Sequence, residues 1–151
     1  MARFLTANDI SFFEKISSEL VDDVIETTIQ FFKLSIGESK TNLYGESLAK
    51  SYHTGININA VIEREDSVTN YEGFGPDTAQ NVEYRFNRHT LSTKNVYPEI
   101  GDIIFHNEAY FEISNVREDQ MIGGRSGNRF SIICSTFMSR RSSLNLETRI
   151  V

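Results

Sequence analysis

The spacing of apolar positions changes from helical to strand-like within the first quarter of the chain. Ile10, Phe13, Ile16 and Leu20 recur three or four residues apart, with Phe12 and Ile16 on the same side, as on one face of an α-helix. Thr6 precedes them with Asp9 three residues on, a capping-box start. This predicts a helix over 8–20, either an amphipathic helix packed on a sheet or a docking helix for a partner. After Asp22-Asp23 the period drops to two. Ile25, Thr27, Ile29 and Phe31 alternate on one side, then Phe32, Leu34 and Ile36 on the other. A phase switch between adjacent phenylalanines predicts a bulge or a strand that passes from one sheet face to another.

Period two returns at Ile56, Ile58, Ala60 and Ile62, at Val82, Tyr84 and Phe86, and at Phe130, Ile132, Cys134 and Thr136. Ile133 and Phe137 point the other way, so this last strand is expected to be covered on both sides. Two polar stretches, 37–55 and 65–79, read as long loops. The first holds Leu43, Tyr44 and Tyr52, with a short helical turn at Leu48-Ala49. The second holds Tyr71, Phe74 between Gly73 and Gly75, and Asp77. Loops of this length are often functional. Residues 91–97 read as a linker and 118–128 as a turn. The most strongly patterned stretch is 98–116. Pro98 enters in an extended or turn form, Gly101-Asp102 bends, Ile103-Ile104-Phe105 forms a strand, and Tyr110 to Val116 returns. This predicts a β-hairpin with a three- or four-residue connection over His106-Asn107-Glu108. The tail 139–151 has Leu144, Leu146, Thr148 and Ile150 at strict period two. It reads as a terminal strand of the same sheet or as a β-arm added to an adjacent subunit. Together these elements predict one domain over 1–151: mainly β, a small β-barrel or sandwich with one N-terminal helix, long loops and an extended C-terminal arm.

Charge changes this picture more than bulk composition does. The chain of 151 residues carries a net −6, which opposes a sequence-independent DNA binder. The charge is uneven: from Arg117 to Val151 six arginines face three acids, a net of +3, so residues 1–116 carry −9. Unlike surfaces of this kind suit head-to-tail stacking in a ring or column. The single Cys134 lies in an apolar run, as a buried small hydrophobe would, and one cysteine allows no internal disulfide. No apolar run is long enough for a transmembrane helix, and the N-terminal residues lack the apolar core of a signal peptide.

Candidate chemistry is sparse. His53, His89 and His106 fall in separate segments without metal-ligand spacing; His106 reads as a solvated or capping turn residue. No serine stands in a Gly-x-Ser-x-Gly elbow. The Gly-Phe-Gly at 73–75 lacks the Lys-Ser/Thr and the preceding βα unit of a phosphate loop. No enzyme, metal or cofactor is therefore expected. An OB-type nucleic-acid module would use Tyr84, Phe86, Tyr110 and Phe111 to stack bases, but strand periodicity assigns most of these to a core. Arg140-Arg141 would touch phosphate or lie as plain surface charge.

One resemblance goes beyond these patterns. Pro98-Glu99-Ile100-Gly101-Asp102-Ile103-Ile104, then His106-Asn107-Glu108, then Tyr110-Phe111-Glu112-Ile113-Ser114-Asn115-Val116 resembles the head-completion (neck) proteins of contractile-tailed, T4-like bacteriophages. More loosely it resembles the stopper or head-closure proteins of other tailed phages. Leu43-Tyr44-Gly45-Glu46 is similar to a Phe-Gly-Glu segment after an early strand of that family. The resemblance implies a small β-barrel subunit of a homo-oligomeric ring, expected to be hexameric, at the head–tail junction of the virion. Portal and adaptor would lie above it, and a tail-terminator or tail-completion protein below. Genomic DNA would pass through the channel without sequence-specific binding, and no membrane would be involved. Leu43, Tyr44, Tyr52, Tyr71, Phe74 and Asp77 are then candidates to line the channel or clasp a neighbour. Arg140, Arg141, Leu144, Leu146 and Ile150 would form an inter-subunit arm. A tail-terminator role is the nearest alternative.

Overall fold

The computed structural model describes residues 6–35, 40–41, 47–71, 76–119, 129–139 and 144–146. The fold is mainly β, with one N-terminal helix, as the periodicity predicts. Helix α1 spans Ala7–Glu19 and starts at the predicted box: the Asp9 amide donates to Thr6 Oγ1 (3.3 Å), and the Thr6 amide donates to Asp9 Oδ2 (2.9 Å). These bonds satisfy donors that a helix N-terminus leaves free, and donation from the Thr6 amide and hydroxyl to Asp9 Oδ2 holds the Asp9 carboxyl below its usual range. A wide π-type turn, Leu20–Ile25, follows and ends at Glu26 in the left-handed region (φ 46°). The first strand was expected from residue 25 but begins only at Thr28, because the helical winding runs on through Ile25.

Seven strands form an antiparallel sheet in the order β4-β1-β9-β10-β11-β8-β5. They are β1 (Thr28–Phe32), β4 (Ile56–Asn59), β5 (Val61–Arg64), β8 (Asn81–Asn87), β9 (Ile103–His106), β10 (Ala109–Glu118) and β11 (Ser131–Ser139). The sheet is not closed into a barrel, since β4 and β5 do not pair with each other. It is nevertheless curled. Its two edge strands are consecutive in the chain, separated only by the buried Ala60. Inside the curl lies the main core of Ile29, Phe31, Ile58, Val82, Tyr84, Phe86, Ile104, Phe111, Ile113, Ile132 and Cys134. The inward sets at 82–86 and 130–136 are those that the alternation predicts. Tyr84 packs edge-on to Phe111 (ring centroids 5.9 Å), as does Phe31 to Phe86 (6.5 Å). Burial pushes the Cys134 thiol up to about 12, so at neutral pH it stays protonated.

The phase switch between Phe31 and Phe32 has a structural counterpart. Phe31 enters the main core. Phe32 points to the opposite face, into a second cluster with Tyr52 and Ile103, flanked by Leu34, Phe105 and Tyr110. That cluster is covered by a strand the sequence pattern missed. The 37–55 stretch, read as a loop, contains β2 (Lys40–Thr41) and β3 (Ser47–Tyr52). Leu48-Ala49, read as a helical turn, is extended. β3 is tied alongside the end of β1 by Ser35 N–H to Ser51 O (2.8 Å) and His53 N–H to Lys33 O (2.9 Å). Lys50 Nζ reaches Glu112 on β10 at 2.5 Å. Backbone bonds, the Lys50–Glu112 pair and the buried Tyr52 ring hold this strand. Likewise 88–93, partly read as linker, is a short helix, α2 (Arg88–Thr93), capped by Asn87 and anchored by the buried Leu91.

Candidate assembly surfaces

The hairpin over 98–116 is built around a buried carboxylate. Gly101 turns the chain at φ +95°, a conformation that glycine adopts without steric cost. The turn delivers Asp102 into a fully buried position. Its Oδ1 accepts the Leu34 amide (2.9 Å), and its Oδ2 accepts the Glu99 amide (2.8 Å) and Lys33 Nζ (3.1 Å). Lys33 Nζ also donates to Tyr97 O (2.8 Å) and Glu99 Oε2 (2.8 Å). Burial raises the Asp102 pKa, and the amides and the ammonium oppose the shift. The motif Pro-x-x-Gly-Asp is therefore a lock that fastens the hairpin entry to the end of β1. At the other end Glu118 accepts the Tyr97 hydroxyl (2.8 Å) and pairs with Arg129 and Arg88. The Tyr97 bond and the Arg129 pair hold the Glu118 carboxyl below its usual range.

The connection of this hairpin is shorter than expected. His106 pairs with Ala109, so the turn has two residues, Asn107 and Glu108, both with positive φ (51° and 64°). This is the geometry that a two-residue hairpin needs to match strand twist. His106 is consequently the last residue of β9 rather than a solvated turn residue. It is half-buried edge-on to Tyr84 (ring centroids 6.1 Å), and burial holds its pKa below the usual value. On the return strand a bulge at Ser114 resets the alternation between Ile113 and Asn115.

Three features project from this frame. The first is α1. Phe12, Phe13 and Ile16 of the helix, with Leu20 and Val24 of the π-type turn after it, are between 42% and 72% exposed, and the helix buries none of its residues. The side towards the domain is polar. Ser18 and Thr90 donate to Asp22 Oδ2 (3.2 and 2.8 Å), and Ser11, Glu14, Lys15, Ser18 and His89 line a cleft of about 240 Å³ between α1 and α2. Of the two roles expected for this helix, packing on the sheet through its apolar face is not what the chain adopts.

The second is a ribbon. The 65–79 stretch, read as a loop, forms β6 (Val68–Tyr71) paired antiparallel with β7 (Pro76–Ala79). Together with the β5–β8 pair it makes one long hairpin from Val61 to Asn87. The third is β12 (Leu144–Leu146), which runs parallel to Lys50–Tyr52 of β3 in the same chain. It joins neither the main sheet nor an extended arm free of the domain.

The candidate residues scatter accordingly. Tyr52 is 1% exposed, a core side chain under β1 and β9, so it lines no channel; the β3 pairing that buries it has no apolar signature. Tyr71 and Asp77 lie near the distal end of the ribbon, paired with Pro76 and Asn70. Leu144 and Leu146 share β12. Leu43, Tyr44, Phe74, Arg140, Arg141 and Ile150 lie outside the described residues. Of the rings proposed for base stacking, Tyr84, Phe86 and Phe111 are fully buried and Tyr110 is half-buried. This removes the stacking platform of the nucleic-acid reading. Among the described residues no group of three His, Cys, Asp or Glu is placed to share a metal ion, and no helix is long and apolar enough to cross a membrane.

No family model and no curated protein matches the chain. Among solved structures, a chain of the virion of a native gene transfer agent particle is similar, with a TM-score of 0.47 and 9% identity. The match covers 74% of this chain and 93% of that one.

Proposed function

We propose that this chain is a non-enzymatic structural protein of a phage-type virion. It acts as a neck or head-completion subunit whose ring closes the DNA exit channel after packaging and offers the tail its docking surface. The observation that carries the reading is the Pro98–Val116 segment. Its resemblance to neck proteins coincides with an internally locked hairpin, in which Gly101 and Asp102 have defined structural jobs.

The surfaces fit a subunit that works by assembly. An isolated two-stranded ribbon is marginal in water, so β6–β7 is better suited to a site where neighbours flank it. The sequence from the end of β5 to β7 is acid-rich: over residues 63–77, Glu63, Glu65, Asp66, Glu72 and Asp77 stand against Arg64. An acidic projection into a channel repels DNA phosphates and lets the genome slide without sticking. The test is genetic. Deleting the gene is expected to leave DNA-filled or leaking heads and separate, finished tails in electron micrographs. Normal heads joined to tails would refute the reading.

A further inference from the structure

Helix α1 is joined to the domain at few points. Of its 13 residues only Ile10, Ser17 and Ser18 are even half-buried, and the rest are exposed. In the π-type turn that continues it, Val21 is the buried residue, at 8% exposure. Among the described residues, the side-chain hydrogen bonds that cross from this winding to distant parts of the fold both end on Asp22. Thr90 Oγ1 donates to Asp22 Oδ2 (2.8 Å), and Asn59 Nδ2 donates to Asp22 O (3.4 Å). Ser18 Oγ braces the same carboxylate from within the helix (3.2 Å). Beyond these contacts α1 and α2 stand apart, with the cleft of about 240 Å³ between them.

The docked position also carries two unfavourable features. Asp22 Oδ1 is shielded from solvent and meets no hydrogen-bond donor, and a buried acceptor left unpaired is costly. The winding ends at Glu26, whose backbone (φ 46°, ψ 31°) lies in the left-handed region that a side chain disfavours. The fixed frame begins immediately after it. Thr27 O accepts the Ala60 amide (3.0 Å), and Thr28 pairs with Asn59 at the start of β1. A segment held by one buried valine and a few hydrogen bonds, against strain and an unmet acceptor, opens far more readily than the sheet unfolds.

We infer that α1 is a hinged arm. The winding from Ala7 to Ile25 swings away from the domain as one helical unit about Glu26, and Asp22 with Val21 is the latch that holds it closed. The capping box at Thr6 and Asp9 keeps the far end wound as it moves. The arm is roughly 28 Å long, so a modest rotation at Glu26 carries Phe12 and Phe13 well away from the cleft. The swing sets the angle at which the apolar stripe is presented, and it stands independently of the neck reading.

The test is electron paramagnetic resonance on the full chain, with nitroxide labels at Phe12→Cys on the arm and Ser92→Cys on α2. Both positions are exposed, whereas Cys134 is shielded by the core. The labelled chain is expected to show two distances, a short one for the docked arm and a longer, broader one for the open arm. Asp22→Ala is expected to raise the ratio of open to docked by roughly tenfold, since a charged acceptor is lost. Thr90→Val, which leaves the arm itself untouched, is expected to raise it less. In both variants the helical signal in circular dichroism should persist and the Cys134 thiol should stay protected. Where Asp22→Ala exposes that thiol, the result with Thr90→Val decides. A single narrow distance that the folded variants leave unchanged would overturn the inference. So would a long distance accompanied by loss of the helical signal, since α1 would then unravel rather than swing.

Discussion

The Pro98–Val116 hairpin and helix α1 are made of similar residues put to opposite uses. In the hairpin, Ile103, Ile104, Phe111 and Ile113 are fully buried, and the carboxylate beside them is met by two amides and an ammonium. In α1 and the π-type turn that follows it, two phenylalanines, an isoleucine and a leucine are left largely in water, while Ser18 and Asp22 face the domain. Apolar side chains at regular spacing report that something must cover them. They do not report whether the cover comes from the same chain. The hairpin covers its apolar residues within its own domain, and the helix leaves its apolar face exposed.

The sharpest way to break this contrast is to truncate one aromatic in each region. Phe111→Ala empties a site at the centre of the core and is expected to cost about 3–5 kcal/mol in urea unfolding. Labelling of Cys134 should accelerate in parallel, because the thiol is protected only by the fold. Next in size, Asp102→Ala leaves the Leu34 and Glu99 amides and Lys33 without their acceptor, and is expected to cost about 3 kcal/mol. A loss below about 1 kcal/mol would mean that the turn holds without its lock.

The hairpin also predicts a pH dependence. His106 has a depressed pKa because burial disfavours its charged form. The unfolded chain, with its ordinary value of 6.5, then binds the proton more readily than the folded one. Stability from this group is complete above about 6.5 and is lost as the pH falls from there towards the folded value. Stability plotted against pH should fall more steeply for wild type than for His106→Gln within that window and run parallel outside it; equal slopes throughout would refute the assignment. A smaller effect of opposite sign is expected at the turn. Glu108→Gly removes a side chain from a left-handed position and should stabilise by about 0.5–1 kcal/mol; a destabilised variant would refute the turn geometry. Smallest of all, Phe12→Ser should change monomer stability by less than about 0.5 kcal/mol. A cost comparable to that of Phe111→Ala would show that α1 is part of the core after all.

Reading the sequence succeeded where local pattern and burial coincide. Val82, Tyr84 and Phe86, and the inward set from Phe130 to Thr136, alternate because each side chain on a strand faces the opposite way from its neighbours. The two-faced Phe31-Phe32 pair was legible for the same reason. Reading failed where a strand is held by its backbone. β3, β6 and β7 carry mostly polar residues with little apolar alternation; β6 and β7 pair only with each other, and β3 pairs with β12, almost a hundred residues away in the chain. α2 has a single buried residue, Leu91, too little for a helical period. Tyr52 was assigned to a loop because the strand that buries it was assigned to one.

The sequence by itself determined the mainly β fold, the capped N-terminal helix and the Gly-Asp hairpin, because these depend on short-range periodicity, capping groups and backbone freedom. Only the tertiary structure decided that the sheet curls with its two edges meeting at Ala60, that Asp102 is the buried anchor of the hairpin, and that β12 runs beside β3. It alone decided, too, that the apolar face of α1 points away from the domain. Each of these depends on which distant segments meet. Amphipathicity marks the face to be covered, and the meeting of segments leaves that face open.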